Sequence, residues 1–169
     1  YFLTDDGRLD LDPSRNSSAL SYAALDPNEQ LSFRHVFDAD TEITGTAKLR
    51  LWVEAAGADD MDLFIGLSKL DRNGNEVLMA GYNDTEYGHV ASGWLRVSHR
   101  ELDPELSTVS RPVLRHQQVL KLEPGERVPV DIEILSSSTL FRQGESLVVR
   151  VQGTELTGAG DIAHEGNVN

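Results

Sequence analysis

The stretch GWLRVSHRELD, Gly93 to Asp103, holds a serine, a histidine and two carboxylates: Ser98, His99, Glu101 and Asp103. Those are the parts of a hydrolytic centre, in which a histidine takes the serine's proton and a carboxylate orients the imidazole. Such chemistry requires side chains that converge in space. The apolar alternation of the stretch predicts a strand, where neighbouring side chains point to opposite faces. Leu95, Val97 and His99 then line one face, and Trp94, Arg96, Ser98 and Arg100 line the other. Ser98 and His99 are therefore not expected to act on each other. His99 reads first as a hydrogen-bonded histidine at the core margin, with ligand-binding, catalytic and interface roles as the alternatives.

No second nucleophile presents itself. Gly66-Leu67-Ser68-Lys69-Leu70 lacks the second glycine of a nucleophile elbow and falls inside an expected strand. His35, His89, His116 and His164 are scattered without ligand spacing. In Asp71-x-Asn73-Gly74-Asn75-Glu76 the glycine comes too early for a calcium loop of the EF-hand kind, and a hairpin turn accounts for it. Asp59-Asp60-Met61-Asp62 is expected to be a solvated acidic loop, with structural calcium as its alternative. No catalytic residue, metal or cofactor is assigned.

The 169 residues suggest one domain with a substantial core. Formal charge is −13, of which −10 falls in residues 1–91 (7 basic, 17 acidic) and −3 in residues 92–169 (8 basic, 11 acidic). An acidic chain without a basic tract repels phosphate backbones, so nucleic acid is not an expected partner. No apolar run approaches the roughly 18 residues of a membrane span. Cysteine is absent, which removes disulfides and thiolate chemistry but leaves the compartment open, with the cytoplasm favoured. The start, YFLTDDGRLD, has neither the basic flank nor the apolar core of a signal peptide, and reads as a piece of a longer or processed polypeptide.

The elements that would position these groups are strands. AKLRLWVE sets Leu49, Leu51 and Val53 on one face against Lys48, Arg50, Trp52 and Glu54 on the other. RVPVDIEI and ESLVVRVQ alternate in the same way, whereas DLFIGLSKL (62–70) is apolar on both parities, as in a strand covered on both sides. Pro129 marks an edge or a bulge. Asn73-Gly74 and Pro124-Gly125 each predict a hairpin, and Arg142-Gln143-Gly144-Glu145 a further turn. Helix is expected only as short pieces near 18–24 and 137–141, the latter capped by Ser136 or Ser137. The fold class that follows is all-β: a jelly-roll β-sandwich. Residues 1–30 are expected to be a lead-in packed on a sandwich formed by 31–169.

Two outer faces carry tryptophan among cations: Lys48, Arg50 and Trp52 on one, Trp94, Arg96 and Arg100 on the other. Tryptophan on a nominally wet face indicates that something covers it. The chain's own loops, a partner protein and a stacked sugar are the three options.

Four blocks, LSFRHVFDADTEITGTAKLRLWVEA, DLFIGLSKLDRNGNE, GWLRVSHRELDPELST and PGERVPVDIEILSSSTLFRQGESLVVRVQG, resemble in order the C-terminal domain of the X-Pro dipeptidyl-peptidase and cocaine-esterase group of serine hydrolases. The likeness runs from about Leu31 to Gly153, and YFLTDDGRL is similar to the segment that leads into that domain. The resemblance implies a galactose-binding-like jelly roll, non-catalytic, packed against an α/β-hydrolase domain that carries the Ser-Asp-His triad and against a helical cap. Those domains, with a second copy of the chain as a further candidate, are the expected partners. Arg50, Trp52, Trp94, Arg96, His99 and Arg100 are then fold or interface positions. The alternative function is a carbohydrate-binding module.

Overall fold

The computed structural model describes residues 1–13, 18–80 and 87–156. In chain order the strands are β1 (Phe2–Leu3), β2 (Leu9–Asp10), β3 (Leu31–Val36), β4 (Thr41–Val53), β5 (Asp62–Leu70), β6 (Glu76–Val77), β7 (Met79–Ala80), β8 (Tyr87–Gly88), β9 (Ala91–Arg96), β10 (Val128–Phe141) and β11 (Ser146–Gln152). One 3₁₀ turn, Val97–His99, follows β9.

Two antiparallel layers form the sandwich. In the larger, β5 is central: β11 lies on one side with β3 beyond it, and β9 and β6 pair along the other. The second layer is the long pair of β4 and β10, in register from Val53–Val128 to Ala47–Ile134, irregular between Ile134 and Ser137, then in register again to Thr41–Phe141. The inner faces meet in one core. Leu63, Ile65, Leu147, Val149, Val151 and Leu95 come from the first layer, and Val130, Ile132, Ile134 and Phe141 from the second. Each such side chain contributes roughly 1.5–3 kcal/mol by leaving water.

At Gly93 the two layers meet backbone to backbone. A Cβ on it would lie 2.1 Å from the Glu133 carbonyl oxygen, so β9 rests directly on the backbone of β10.

The expected strands form with the expected inner faces, but β11 has no wet face: Ser146, Val148 and Gln152 on its outer side are buried and Arg150 is half-buried, because β3 and β5 flank it. The burial of β5 on both parities holds from Asp62 to Ser68, apart from a half-buried Phe64. The Asn73-Gly74 turn joins β5 to β6, with Gly74 at φ +86° and the Asp71 carboxylate accepting the Asn73 and Asn75 amides at 2.8 and 2.9 Å. Pro129 stands in a strand whose ladder partner is β4 alone, where a missing amide costs nothing.

Four local expectations are corrected. The strand expected through Arg100 ends at Arg96: the Val97 amide still meets the Met61 carbonyl at 2.9 Å in the ladder's register, but the Ser98 amide turns to the Asp60 carboxylate and the Arg100 amide bonds back to the Val97 carbonyl, closing the 3₁₀ turn. Glu123 to Glu126 makes a turn but no hairpin, since the chain before it is irregular and the Leu122 amide bonds to the Asp59 carbonyl. Residues 137–141 continue β10 beyond its irregularity instead of forming a helix; cross-strand pairing with Thr41 to Gly45 outweighs the local capping signal. Residues 18–24 are likewise not helical: the Ala23 amide donates to the Glu29 carboxylate at 2.7 Å, and a turn follows.

The start of the chain packs on the larger layer. Leu9 is buried in the core, its carbonyl oxygen lies 2.9 Å from His35 Nδ1, and the Arg34 amide donates to Gly7. Gly153 lies against the backbone of Ala24. Residues 101–118 fold back on themselves through a Leu102–Leu114 bridge and amide bonds from Asp103 to Val113 and from Arg115 to Glu101.

Candidate interaction surface

Trp94 points outward from β9 because Ala91, Gly93 and Leu95 take the inward parity. It is 61% exposed and stands between two hollows. One, of about 270 Å³, lies between β9, β10 and the loop 111–116, and its walls include Pro112, Arg111, His116, Asp131 and Glu133. The other, of about 600 Å³, is walled largely by apolar groups, among them Phe64, Val90, Leu135 and Leu156. The loops among the described residues therefore flank Trp94 without covering it.

Trp52 is 65% exposed on the outer face of β4, opposite Pro129. Lys48 and Arg50 on the same face reach Asp131 at 3.3 and 3.7 Å, and Asp131 also borders the smaller hollow beside Trp94. The two predicted faces are thus joined through one carboxylate. Asp131 Oδ1 is buried and has no hydrogen-bond partner among the described residues. His116, on the same wall, holds a left-handed backbone at φ +52°, a strained conformation for a residue with a Cβ.

The remaining predicted positions are structural pins. Arg96 forks onto Asp62 at 2.9 and 3.0 Å, a bidentate pair whose carboxylate is buried. Arg100 leaves the Trp94 face because the strand has ended; its guanidinium donates to the carbonyls of Val97 and Leu120 and clamps the returning loop. His99 packs its ring 5.8 Å from that of His116, and its Nδ1 is buried without a partner among the described residues. Ser98 is 1% exposed beneath the turn. The opening quartet forms no catalytic centre.

Asp59 to Asp62 is not a solvated acidic loop, as had been expected. Asp60 is 2% exposed, and its Oδ1 accepts the Met61 and Ser98 amides, each at 2.9 Å, while Lys121 approaches Oδ2 at 3.4 Å. Burial alone would raise this carboxyl, but the bonds from Ser98 and Met61, with Lys121, outweigh it and hold its pKa below the usual aspartate value. Among the described residues no group of three or more ligating side chains is placed to hold a metal ion.

A second serine and histidine do meet, where the sequence offered no motif. Ser68 Oγ lies 2.9 Å from His89 Nδ1, and Glu76 Oε1 lies 3.5 Å from the same nitrogen. In a triad, serine and acid engage opposite ring nitrogens. Here they share one, Arg150 donates to Ser68 Oγ at 2.7 Å, and Ser68 is 1% exposed. The cluster pins β5, β6 and β11 together. Only strand parity hinted at it, by placing Ser68 on the outer side of β5.

Arg150 grips Glu76 through both carboxylate oxygens, at 2.8 and 3.2 Å, and lowers its pKa from 4.5 to about 2. A depressed carboxylate stabilises the fold above its unfolded pKa, and that stability is lost as pH falls through the folded value. Glu76→Gln should therefore cost about 2 kcal/mol at pH 7, discounting for partial exposure. The gap between variant and wild type should close from pH 4.5 towards 2, as read by denaturant unfolding across that range.

Over residues 2–167 the chain matches the X-Pro dipeptidyl-peptidase C-terminal non-catalytic domain. Two crystal structures of a CocE/NonD family hydrolase from Staphylococcus aureus are similar. One is 44% identical with TM-score 0.92, covering 99% of this chain and 32% of that one; the other is 47% identical with TM-score 0.88, covering 91% and 28%. The chain thus spans about a third of the length of these hydrolases. An aminopeptidase from the marine sediment archaeon Thaumarchaeota archaeon shares the fold at 15% identity and TM-score 0.51, covering 77% of this chain and 19% of that one. No curated protein matches. No helix among the described residues is long and apolar enough to cross a membrane. With nearly its whole length matched, the chain belongs to the family of X-Pro dipeptidyl-peptidase C-terminal non-catalytic domains.

Proposed function

We propose that this domain stabilises and orients the catalytic part of a longer serine hydrolase of the X-Pro dipeptidyl-peptidase or acyl-esterase type, and that the Trp94 surface is where that part docks. The carrying observation is Trp94 itself, 61% exposed between two hollows that the described residues leave open. Aromatic side chains of that kind dominate the energetics of protein interfaces. Arg50, Trp52, Arg96, His99 and Arg100 support the surface or extend it. Residues 1–30 serve as the lead-in from the preceding domains, and the described part of 31–169 as the sandwich; residues 157–169 lie outside the described residues.

The 169-residue chain alone is expected to turn over neither p-nitrophenyl esters nor X-Pro anilides, and Trp94→Ala in the longer hydrolase should lower the melting temperature of its catalytic part. Turnover by the isolated chain that is lost on replacing one of its serines would overturn the reading, as would an unchanged melting profile. Carbohydrate binding keeps one observation in its favour, an exposed tryptophan face beside Arg111, Asp131 and Glu133. Absence of heat on titration with millimolar mono- and disaccharides removes it.

A further inference from the structure

The smaller hollow beside Trp94 carries a local charge opposite in sign to that of the chain. Its wall holds Arg111, Asp131 and Glu133, and Lys48 and Arg50 reach it through Asp131. With His116 neutral, that is three cations against two carboxylates, on a chain whose formal charge is −13. The neighbouring Arg115–Glu101 pair, at 3.4 Å, balances itself. One positive charge is therefore unmatched among the described residues around the hollow.

Arg111 is the cation best placed to offer that charge. Its side chain is 64% exposed, and its Nε lies 3.3 Å from Glu133 Oε1, a long contact. The guanidinium fork has donors on two further nitrogens, and among the described residues neither makes a hydrogen bond. The backbone beneath it is fixed. The Thr108 amide donates to the Arg111 carbonyl at 2.8 Å, the Arg111 amide donates to Thr108 Oγ1 at 3.1 Å, and Pro112 is buried. Further along, the strained His116 follows an Arg115 amide that is tied to the Glu101 carbonyl at 2.9 Å. An exposed cation on a pinned base loses little freedom on meeting a partner.

We propose that Arg111 receives a carboxylate of the catalytic part, the side chain of an aspartate or glutamate, in a forked pair beside Trp94. Glu133 occupies the Nε edge of the guanidinium, which leaves the edge between the two terminal nitrogens for an end-on fork. A cation from the partner is poorly received here. Asp131 is only 11% exposed and is already shared by Lys48 and Arg50, while Glu133 is engaged by Arg111. This contact rests on the docking reading of the Trp94 surface. Trp94 would supply the apolar area of the interface, and the charged pair would fix its orientation.

Arg111→Lys in the longer hydrolase tests the contact directly. A water-soluble carbodiimide joins an amine to a carboxylate that touches it, and takes up the water released by the new amide bond. Peptide mass spectrometry should find position 111 joined to an aspartate or glutamate of the catalytic part. Links from position 111 to Glu133 or other residues of this chain alone, or no link at all, overturn the proposal. Arg111→Glu should lower the melting temperature of the catalytic part, and added salt should narrow the gap to wild type. In the 169-residue chain the same substitution should shift melting far less, because an exposed pair with Glu133 contributes little. Equal shifts in the chain and in the longer hydrolase would reveal a purely local role and overturn the proposal. Trp94→Ala separates the two readings. If it loosens the catalytic part and Arg111→Glu does not, the carboxylate contact alone fails; if neither does, the docking reading fails with it.

Discussion

Gly93→Ala is expected to cost about 3 kcal/mol or more, lowering the melting temperature of a chain this size by about 10 °C. The added methyl group would lie 2.1 Å from the Glu133 carbonyl oxygen and 3.3 Å from the Ile134 Cα. Neither contact can be relieved by turning a side chain, so β9 and β10 must part. Parting them opens the layer contact around Leu95 and Ile132, which are 3% and 1% exposed. Ser92→Ala, one residue away on the outer face, should stay within about 0.5 kcal/mol and serves as the control. Equal thermal stability of Gly93→Ala and wild type would show that the layers do not meet as described.

Asp60→Ala is the second large effect, at about 3 kcal/mol. The substitution removes the acceptor for the Met61 and Ser98 amides and withdraws a carboxylate from Lys121. A buried donor left unpaired costs about 1–3 kcal/mol, so two of them set the scale. Asp60→Asn keeps one carbonyl oxygen and should recover much of the loss at neutral pH. Because the Asp60 carboxyl is held below its ordinary pKa of 3.8, its advantage over asparagine is present above that value and fades as pH falls below it. Urea unfolding of the three proteins at neutral and acid pH measures both parts. A constant gap between aspartate and asparagine across that range would refute the ionic role.

Alternation made the sandwich legible. Leu49/Leu51/Val53, Val128 to Ile134 and Leu147/Val149/Val151 each show period two, and tertiary packing reinforces what each strand states locally. The exposure of both tryptophans followed from the same parity. Long-range partners were less readable. Asp60 appears in sequence as one acid among several, and its burial depends on Ser98 and Lys121, 38 and 61 residues away. The end of β9 at Arg96 was hidden because Val97 and His99 keep the alternation, while the distant Asp60 carboxylate draws the Ser98 amide out of line and the Arg100 amide closes a turn onto Val97. At 137–141 serine and threonine imitate a helix start, yet the ladder with Thr41 to Gly45 decides. The Ser68–His89–Glu76–Arg150 cluster draws on three strands and the residue after β8, and no spacing rule connects them.

The clasp on Asp60 also has a consequence in time. Its bonds close chain loops of 38 and 61 residues, and the Asp59 carbonyl adds a bond to the Leu122 amide. Closing such loops carries an entropy cost, and the clasp is expected to form after the folding barrier, which Asp60→Ala would show by raising the unfolding rate with the folding rate unchanged. Interactions absent from the transition state slow escape from the native state without hastening arrival. On that outcome the acidic loop is a latch on unfolding, setting how long the domain, once assembled, stays assembled.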